Sequence, residues 1–391
     1  MSSVGIEGEI VIELERQRHG VGKVALTSTR PVGASRIFIG KTPQQVLQTI
    51  PALFSVCALA QSRAALLCIG QALSLQTEAP LERARDLLVL AENAKEHLLR
   101  IQLDWPALFE RSIDAAQLPW LSRLTGEFKQ AMFVNGEAFM LDSQLRTTPD
   151  SVVELIDRLE AYLEQQIFGC PLQQWLQIDD IDALREWSEN IGSIAAQSLH
   201  SICEHGWTTQ GLSDCEQLNT LDNEQLRQHL DQPQAAAFIA APQWRGQCLE
   251  TTALARQHQH PLVHLLLREF EPGLITRWVA RLVELAQIPA QMRRLLTAHD
   301  GDASPVVISS KQGVAQIEAA RGRLIHRVEI SDGLISQYQI VAPTEWNFHP
   351  QGLLTQSLAR LHARDDDELE KLAHLMINVI DPCVGYQLRL V

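Results

Sequence analysis

"NVIDPCVGYQLRLV", residues 378–391, is the stretch from which the rest of the sequence is best interpreted. An amphipathic helical pattern, DDDELEKLAHLMINVI, runs directly into Asp381, Pro382 and Cys383. Proline lacks a backbone N–H and does not continue a helix, so Cys383 is predicted to lie on a turn. Such a cysteine is either an ordinary buried thiol or half of a metal site whose other half lies elsewhere in the chain.

The composition is that of an ordinary globular protein: of 391 residues, 46% are hydrophobic and 20% are charged. A formal charge of −14 argues against a nucleic-acid partner, which needs clustered lysine and arginine. The sequence has no apolar run of about eighteen residues, the length that crosses a membrane. The first residues, MSSVGIEGEI, lack the basic and apolar regions of a secretory signal. We therefore expect a cytoplasmic protein with neither a nucleic-acid nor a membrane partner.

The chain contains seven cysteines, and neither their odd number nor their wide spacing suggests a disulfide framework. No two are separated by two residues, so the paired cysteines of zinc ribbons are absent. Cys68, Cys170 and Cys203 are predicted to be small buried hydrophobic residues. The stretch HQHPLVH, residues 258–264, invites a metal interpretation, but its proline disfavours one continuous helical face of ligands. The favoured interpretation is that this stretch forms the solvent-exposed start of a helix.

Hydrophobic periodicity predicts a β start and a helical body. In IEGEIVIEL, residues 6–14, apolar and acidic residues alternate as in a half-buried strand, and from Pro43 the pattern becomes helical. Residues 323–343 return to strands around an Asp-Gly turn. We expect one domain over residues 1–391, mainly α with small β-sheets near both termini. Its parts are an N-terminal β segment (1–42), a helical body (43–235) and a C-terminal half (236–391) with the small sheet and the closing Cys motif.

Motifs for nucleotide binding and nucleophilic catalysis are missing. The sequence has no phosphate-binding P-loop, no dinucleotide-binding glycine pattern after a strand and no nucleophile elbow. The sequence therefore does not predict an enzyme.

Six short segments, in the right order and spread over nearly the whole chain, resemble the large subunit of nickel–iron hydrogenases. The opening strand of that family has an acidic residue where this chain has Glu7, and the second and the closing segments match its two metal motifs. The segments are GIEGEIVIEL (5–14), GKTPQQVLQTIPALFSVCALAQSRAAL (40–66), ETTALARQ (250–257), EAARGRLIH (318–326), YQIVAPTEWN (338–347) and DPCVGYQLR (381–389). The resemblance implies a hydrogenase large-subunit-like fold.

In that family two cysteines bridge nickel and iron, and two more bind nickel alone. The first motif keeps the bridging position as Cys57 but has Phe54 at the nickel-only position. The closing motif keeps the nickel-only position as Cys383 but has Tyr386 at the bridging position. The two family histidines are replaced as well, by Gln61 and Arg389. Nickel at such a site needs a full set of soft donors, so nickel binding and hydrogenase activity are not expected.

The positions around the iron are better kept. In the family the iron carries two cyanides and one carbon monoxide. Arg321 matches the arginine near these ligands, and Thr344 matches a hydroxyl residue that donates to a cyanide. We expect both side chains to point into one pocket. The alternatives are an ion pair of Arg321 with Glu318 or Asp332, and a turn-capping role for Thr344. The family proline before the arginine is replaced by Ala320, which predicts a looser loop.

An iron pocket without the nickel ligands is the pattern of the hydrogenase accessory proteins of the HupK/HoxV type. The resemblance implies a carrier that holds the Fe(CN)2(CO) group on Cys57 and Cys383 and passes it to the apo large subunit. Its partners would be the maturation proteins that assemble the iron group. Because only Cys57 occupies a bridging position, either Cys383 shifts toward iron or a partner supplies a thiolate. The alternative is a cofactor-free large-subunit mimic that docks maturation proteins. For a carrier, we expect the last residues to stay mobile.

Overall fold

The computed structural model describes residues 8–17, 20–54, 56–113, 116, 118–146, 150–298 and 311–391, so Glu7 lies outside the described residues. Within them the strands are β1 (Ile10–Gln17), β2 (Gly20–Ser28), β3 (Glu216–Gln217), β4 (Leu249–Glu250), β5 (Gln312–Ala319), β6 (Gly322–Ser331), β7 (Leu334–Val341) and β8 (Tyr386–Leu390). The helices of the same residues are α1 (Pro43–Leu53), α2 (Ala58–Ala72), α3 (Ala79–Leu99), α4 (Trp105–Leu108), α5 (Leu118–Met132), α6 (Asp150–Tyr162), α7 (Leu172–Trp175), α8 (Ile181–Asn190), α9 (Ile194–Glu204), α10 (Asn223–Leu230), α11 (Ala235–Ala240), α12 (Ala253–Gln257), α13 (Pro261–Phe270), α14 (Leu274–Thr297), α15 (Pro343–Asn347), α16 (Leu353–Ala359) and α17 (Asp366–Ile380). The prediction of a mainly α fold with small sheets is confirmed.

A three-stranded sheet of order β2-β1-β8 joins the two ends of the chain. Alternate residues of β1, namely Ile10, Ile12 and Leu14, are fully buried, as the sequence alternation predicts. β8 pairs with β1 in parallel, with Ile12 opposite Leu388. The expectation of a mobile tail is therefore wrong, because backbone hydrogen bonds and buried side chains tie the closing segment to the opening strand.

The helical body packs around α14, a long helix that is buried on most of its surface. Trp278 of α14 stacks on Trp105 of α4 with ring centroids 3.9 Å apart. Pro51 lies in the last turn of α1, which ends at Leu53, and α2 begins at Ala58. The break between these two helices positions the first metal motif. None of the helices in the described part of the chain is long and apolar enough to cross a membrane.

The second sheet, of order β5-β6-β7, is antiparallel and packs against α2. Asp332 and Gly333 connect β6 and β7 with positive φ angles of 51° and 77°, the geometry that the Asp-Gly pair predicts. At the opposite end of β6, Gly322 follows the β5–β6 turn with φ 127°. A Cβ there would lie 2.3 Å from the carbonyl oxygen of Thr251, so only glycine permits this approach. This close contact fixes the place of Arg321.

Candidate functional site

Cys57 lies at the N-terminal end of α2, where the first backbone N–H groups have no partner within the helix. A carboxylate from the neighbouring helix α3 satisfies them. Glu92 accepts hydrogen bonds from the N–H groups of Leu59 (2.8 Å) and Ala60 (2.9 Å). The sequence does not reveal this cap, because the two partners come from different helices. It orients the start of α2 and with it the Cys57 side chain.

A chain of polar side chains behind Cys57 fixes the orientation of Gln61. The ring of His326 donates through Nε2 to the Gln61 carbonyl oxygen at 2.7 Å, while its Nδ1 accepts from the Tyr338 hydroxyl at 2.8 Å. Burial lowers the pKa of His326 to about 3, so the ring is neutral. With its oxygen engaged, Gln61 presents its amide N–H to the Cys57 sulfur at 3.7 Å. Gln61 thus donates to the thiol from the position that the family gives to histidine.

Cys383 lies in the short segment between α17 and β8, close to Thr344 at the start of α15. The Thr344 hydroxyl lies 2.9 Å from the Cys383 sulfur, and the Cys383 backbone N–H donates to the same oxygen at 3.4 Å. Thr344 is buried. The segment between α17 and β8 is therefore held by the segment that follows the second sheet.

Both thiols open onto one cavity of about 450 Å³. Most of its lining is apolar, and Phe54 stands beside Cys57 in the wall. Tyr386, which replaces the other family cysteine, instead bonds His374 through its hydroxyl at 2.8 Å. The apolar residues of the wall are Pro31, Ala34, Ile37, Leu53, Phe54, Val56, Ala319, Ala320, Leu324, Ala342, Pro343 and Val384. The two thiols, from distant parts of the sequence, share a partly open and largely apolar cavity.

Arg321 lines the same cavity from the β5–β6 turn and is buried. Its Nε donates to Asp381 at 3.1 Å and its Nη1 donates to Glu96 at 3.1 Å. The alternative partner Glu318 instead pairs with Arg323. No described residue accepts a hydrogen bond from Nη2 of Arg321, so these N–H groups are available to a ligand in the cavity.

Thr344 is not among the described residues that line the cavity. Sequence reasoning expected it to face the same pocket as Arg321, but the structure places it behind Cys383. Its hydroxyl is engaged with the thiol and with the Cys383 N–H. Thr344 therefore acts on the cavity through Cys383. The reason is that the turn before Cys383 crosses in front of the start of α15.

Asp381 is the charged centre behind the cavity. Its carboxylate lies 2.8 Å from Nε of Arg100, 3.1 Å from Nε of Arg321 and 3.6 Å from Nη2 of Arg281. Burial alone would raise the pKa of Asp381, but the three guanidinium groups hold it below its usual value. Asp381 is part of the closing motif, but the three arginines that contact it lie far away in sequence. Sequence reasoning therefore did not identify this cluster.

The loop that lost its family proline is tied down by another arginine. Arg256 donates from Nη2 to the carbonyl of Ala320 at 3.1 Å, and Glu284 holds Arg256 in a bidentate pair. The expectation of a looser loop is not met, because these bonds replace the constraint of the proline ring. The position of Arg321, the next residue, follows from this anchor.

The two cavity thiols influence each other electrostatically. Burial raises the pKa of Cys57 well above its usual value, and the neighbouring Cys383 and Glu92 raise it further. Arg321 and the Gln61 amide act in the opposite direction and lower the pKa of Cys57. Burial also raises the pKa of Glu92 to about 7. The pocket thus favours the protonated form of Cys57 until a positive charge enters it.

The cavity does not contain a complete ligand set for a bare metal ion. No group of three or more His, Cys, Asp or Glu side chains is placed to hold a metal ion within the described ranges. The histidines of residues 258–264 do not form such a group, and His260 precedes the first turn of α13. A metal in the cavity would therefore have two protein thiolates and would need its other ligands from elsewhere.

Comparison with models of protein families identifies the family of this chain. The family model described as nickel-dependent hydrogenase matches residues 172–385, more than half of the 391 residues. The chain therefore belongs to the nickel-dependent hydrogenase family.

Two curated relatives match nearly the whole chain. The hydrogenase expression/formation protein HoxV of Cupriavidus necator is 27% identical over 375 residues, which cover 92% of this chain and 91% of that protein. The hydrogenase expression/formation protein HupK of Rhizobium leguminosarum bv. viciae is 26% identical over 392 residues, which cover 98% of this chain and 96% of that protein. The predicted similarity to HupK/HoxV-type proteins is confirmed.

The solved structures agree with the predicted fold. A nickel–iron–selenium hydrogenase of Dm. baculatum superposes with a TM-score of 0.67 at 17% identity, covering 97% of this chain and 96% of that chain. Such low identity shows the fold alone. The prediction of a hydrogenase large-subunit-like fold is confirmed.

Proposed function

We propose that this protein is a carrier in nickel–iron hydrogenase maturation, which holds an iron group with two cyanides and one carbon monoxide between Cys57 and Cys383. The iron group is its cargo, received from the maturation proteins that assemble it and passed to the apo large subunit. The carrier binds and releases this group without catalysing a reaction. The observation that supports it most is the convergence of the two thiols on one cavity that Arg321 also lines.

The chemistry of the wall suits such a cargo. Thiolates are soft donors for iron, and cyanide nitrogens accept hydrogen bonds from a guanidinium. The free Nη2 of Arg321 supplies such a donor, while the apolar wall excludes water from the ligands. Phe54 stands where a third thiolate would be needed, so nickel is not part of the proposal.

The raised pKa of Cys57 suits reversible loading. Without a metal, its burial and the neighbouring Cys383 favour the protonated thiol. A bound Fe²⁺ supplies positive charge and replaces the proton, so loading releases protons and becomes weaker as the pH falls. Two thiolate bonds hold the group, and protonation helps to release it.

Infrared spectroscopy tests the carrier function directly. The protein is purified after co-production with hydrogenase maturation proteins, and bands of metal-bound cyanide and carbon monoxide are expected. Cys57→Ala should lose these bands, whereas Cys203→Ala, which changes a half-buried thiol on α9, should keep them. The packing cost of Cys57→Ala is about 1–2 kcal/mol, so its thermal unfolding should remain cooperative. Absence of the bands from the wild type, or their persistence in Cys57→Ala, contradicts the proposal.

A cofactor-free docking role is the second candidate. Val32, Ile37 and Ile39 are 38%, 47% and 51% exposed, and Ile37 also lines the cavity. Exposed apolar side chains grouped in one segment favour contact with another protein. Under this candidate, Ile37→Asp would weaken co-purification with the maturation proteins while Cys57→Ala would not. Under the carrier proposal, Cys57→Ala removes the infrared bands whether or not Ile37→Asp weakens co-purification.

A further inference from the structure

Two cysteines outside the iron cavity lie side by side. In the parallel pair β3–β4, Glu216 is opposite Leu249, and Cys215 and Cys248 directly precede these two residues. Neighbouring strands are about 4.8 Å apart, within the Cα separation of about 4.4–6.8 Å that disulfides span. Both side chains contact the main hydrophobic core, so they lie on the same side of the pair. Both cysteines are free thiols at adjoining positions of the strand pair.

Cys248 is the more accessible thiol of the pair, and polar groups surround it. Its sulfur lies 3.3 Å from Nδ1 of His349 and accepts from the Gln243 amide at 3.7 Å. The Gln351 N–H donates to the same Nδ1 at 3.0 Å, which shows that this nitrogen carries the lone pair. Burial lowers the pKa of His349, so the imidazole is neutral. Burial raises the pKa of Cys248, and the hydrogen bond from the Gln243 amide opposes this effect. Cys248 therefore depends on a proton acceptor, His349, and a hydrogen-bond donor, Gln243, to react as a nucleophile.

Cys215 suits the second role in a thiol pair. It is buried, whereas Cys248 is partly exposed. Burial, the Glu250 carboxylate and the neighbouring Cys248 together raise the pKa of Cys215 to about 12. Cys215 therefore remains a protonated thiol until a reactive sulfur is formed beside it.

We propose that Cys248 and Cys215 form a peroxide-reactive thiol pair, in which Cys248 is oxidised first and Cys215 closes a disulfide. Cys248 gives its proton to His349, and its sulfur attacks hydrogen peroxide; the S–O bond forms, the O–O bond breaks, and the leaving hydroxide takes the proton to become water. Cys215 then attacks the sulfenic sulfur; the S–S bond forms, the S–O bond breaks, and a second water leaves with the Cys215 proton. Two thiols lose two electrons and two protons in total, and one peroxide is reduced to two waters.

The disulfide would close a loop that contains α10 and α11. These helices supply Leu226, Leu230, Phe238 and Ile239 to a second hydrophobic cluster on the sheet β5-β6-β7. β4 also leads into Thr251, whose N–H donates to Asn347 at 2.9 Å. Asn347 in turn donates to the Arg321 carbonyl at 3.0 Å. The thiol pair is thus separate from the iron cavity but shares a supporting segment with it.

Peptide mapping tests the pair in the full-length protein. Reduced protein is treated with equimolar hydrogen peroxide, its free thiols are blocked, and it is digested after Arg and Glu residues. Cleavage after Glu204 and Glu216 separates Cys215 from Cys203, and cleavage after Arg245 and Glu250 isolates Cys248. The expected product joins residues 205–216 to residues 246–250 with the loss of two hydrogen atoms. In Cys215→Ser, Cys248 should instead be trapped as a sulfenic acid by dimedone.

The role of His349 is tested by measuring how fast peroxide produces the linked peptide. His349→Gln should slow formation of the linked peptide by about tenfold or more and change its pH profile, because the proton acceptor is lost. His258→Gln, which changes a half-buried histidine bonded to Ala255, is the matched control and should leave the rate unchanged. Oxidation of Cys248 to a sulfinic acid without a link to Cys215, or a link from Cys248 to another cysteine, would overturn the proposal. An unchanged rate in His349→Gln would remove His349 from it.

Discussion

The first metal motif, residues 54–61, and the closing motif, residues 381–389, contain one cysteine each, but their other positions have changed in different ways. In the first motif, Phe54 and Gln61 still line the cavity. In the closing motif, Tyr386 lies on β8 and points to a partner outside the cavity wall. The first motif thus faces the cavity on both sides of its cysteine, whereas the closing motif after its cysteine belongs to a sheet.

The two motifs also differ in how they are held. Phe54 lies in the break between α1 and α2, while Gln61 lies on α2, whose start is capped by Glu92. The closing motif is an irregular segment held by Asp381 and Thr344, and the residues after it pair with β1.

The largest effect is expected where the closing motif is anchored. Asp381→Asn removes the negative charge beside the buried Arg281 and Arg321 and the half-buried Arg100, and an uncompensated buried charge costs about 3–5 kcal/mol. The free energy of unfolding, measured with urea, should fall by that amount. Asp214→Asn, which breaks an exposed pair with Arg360, is the control and should change nothing measurable. A small effect of Asp381→Asn would mean that the anchor lies elsewhere.

A matched pair of new cysteines tests whether the two motifs differ in geometry. Phe54→Cys places a third thiol in the cavity wall, whereas Tyr386→Cys places one on β8. Phe54→Cys should bind Co²⁺ more tightly than the wild type by about tenfold or more, about 1.4 kcal/mol. The thiolate–cobalt absorption bands report this binding. Equal affinities in the two variants would show that Tyr386 still reaches the cavity.

The hydroxyl of Thr344 should contribute less. Thr344→Val keeps the shape but loses the contact with the Cys383 sulfur, at a cost of about 1 kcal/mol. Thr344→Ser retains the hydroxyl and should keep the Cys383 alkylation rate of the wild type, while Thr344→Val should expose Cys383 to faster alkylation. If both variants react alike, the hydroxyl does not hold the thiol.

The smallest effect concerns the charge of Glu92 beside Cys57. Its pKa is about 7, so above this pH the wild-type carboxylate is ionised and disfavours the Cys57 thiolate. Glu92→Gln should therefore speed alkylation of Cys57 a few-fold above pH 7. Below pH 7 the carboxyl group is neutral, and the two proteins should react at similar rates. Glu137→Gln on the exposed surface serves as control, and a rate difference that persists at pH 5 would contradict this cause.

The same pKa gives a stability prediction. Because burial raises the pKa of Glu92 above its unfolded value, the folded protein holds this proton after the unfolded chain has lost it. Stability is therefore full below about pH 4.3, the ordinary pKa of glutamate, and declines as the pH rises toward 7. Glu92→Gln should remove this part of the decline in urea unfolding curves recorded across that range. An identical pH profile in both proteins would show that Glu92 titrates normally.

The sequence predicted much of the fold because several elements have strong local signals. The alternation in β1, the Asp-Gly turn between β6 and β7 and the proline-led start of α1 each follow from short-range preferences. The expectation about the tail failed, since β8 depends on pairing with a strand at the other end of the chain. The place of Thr344 was missed for a similar reason, as it depends on where a distant turn crosses.

The sequence by itself determined which groups this protein possesses: two thiols in the two motifs, the Arg-Gly pair at Arg321, and Phe54 and Tyr386 where the family has cysteines. The tertiary structure alone decided that Cys57 and Cys383 share a cavity, that Glu92 caps α2, and that Cys215 meets Cys248. The physical reason is the sequence separation over which each effect acts. Propensities and motifs act over a few residues, whereas each of these contacts joins residues that only the packing of the whole core brings together.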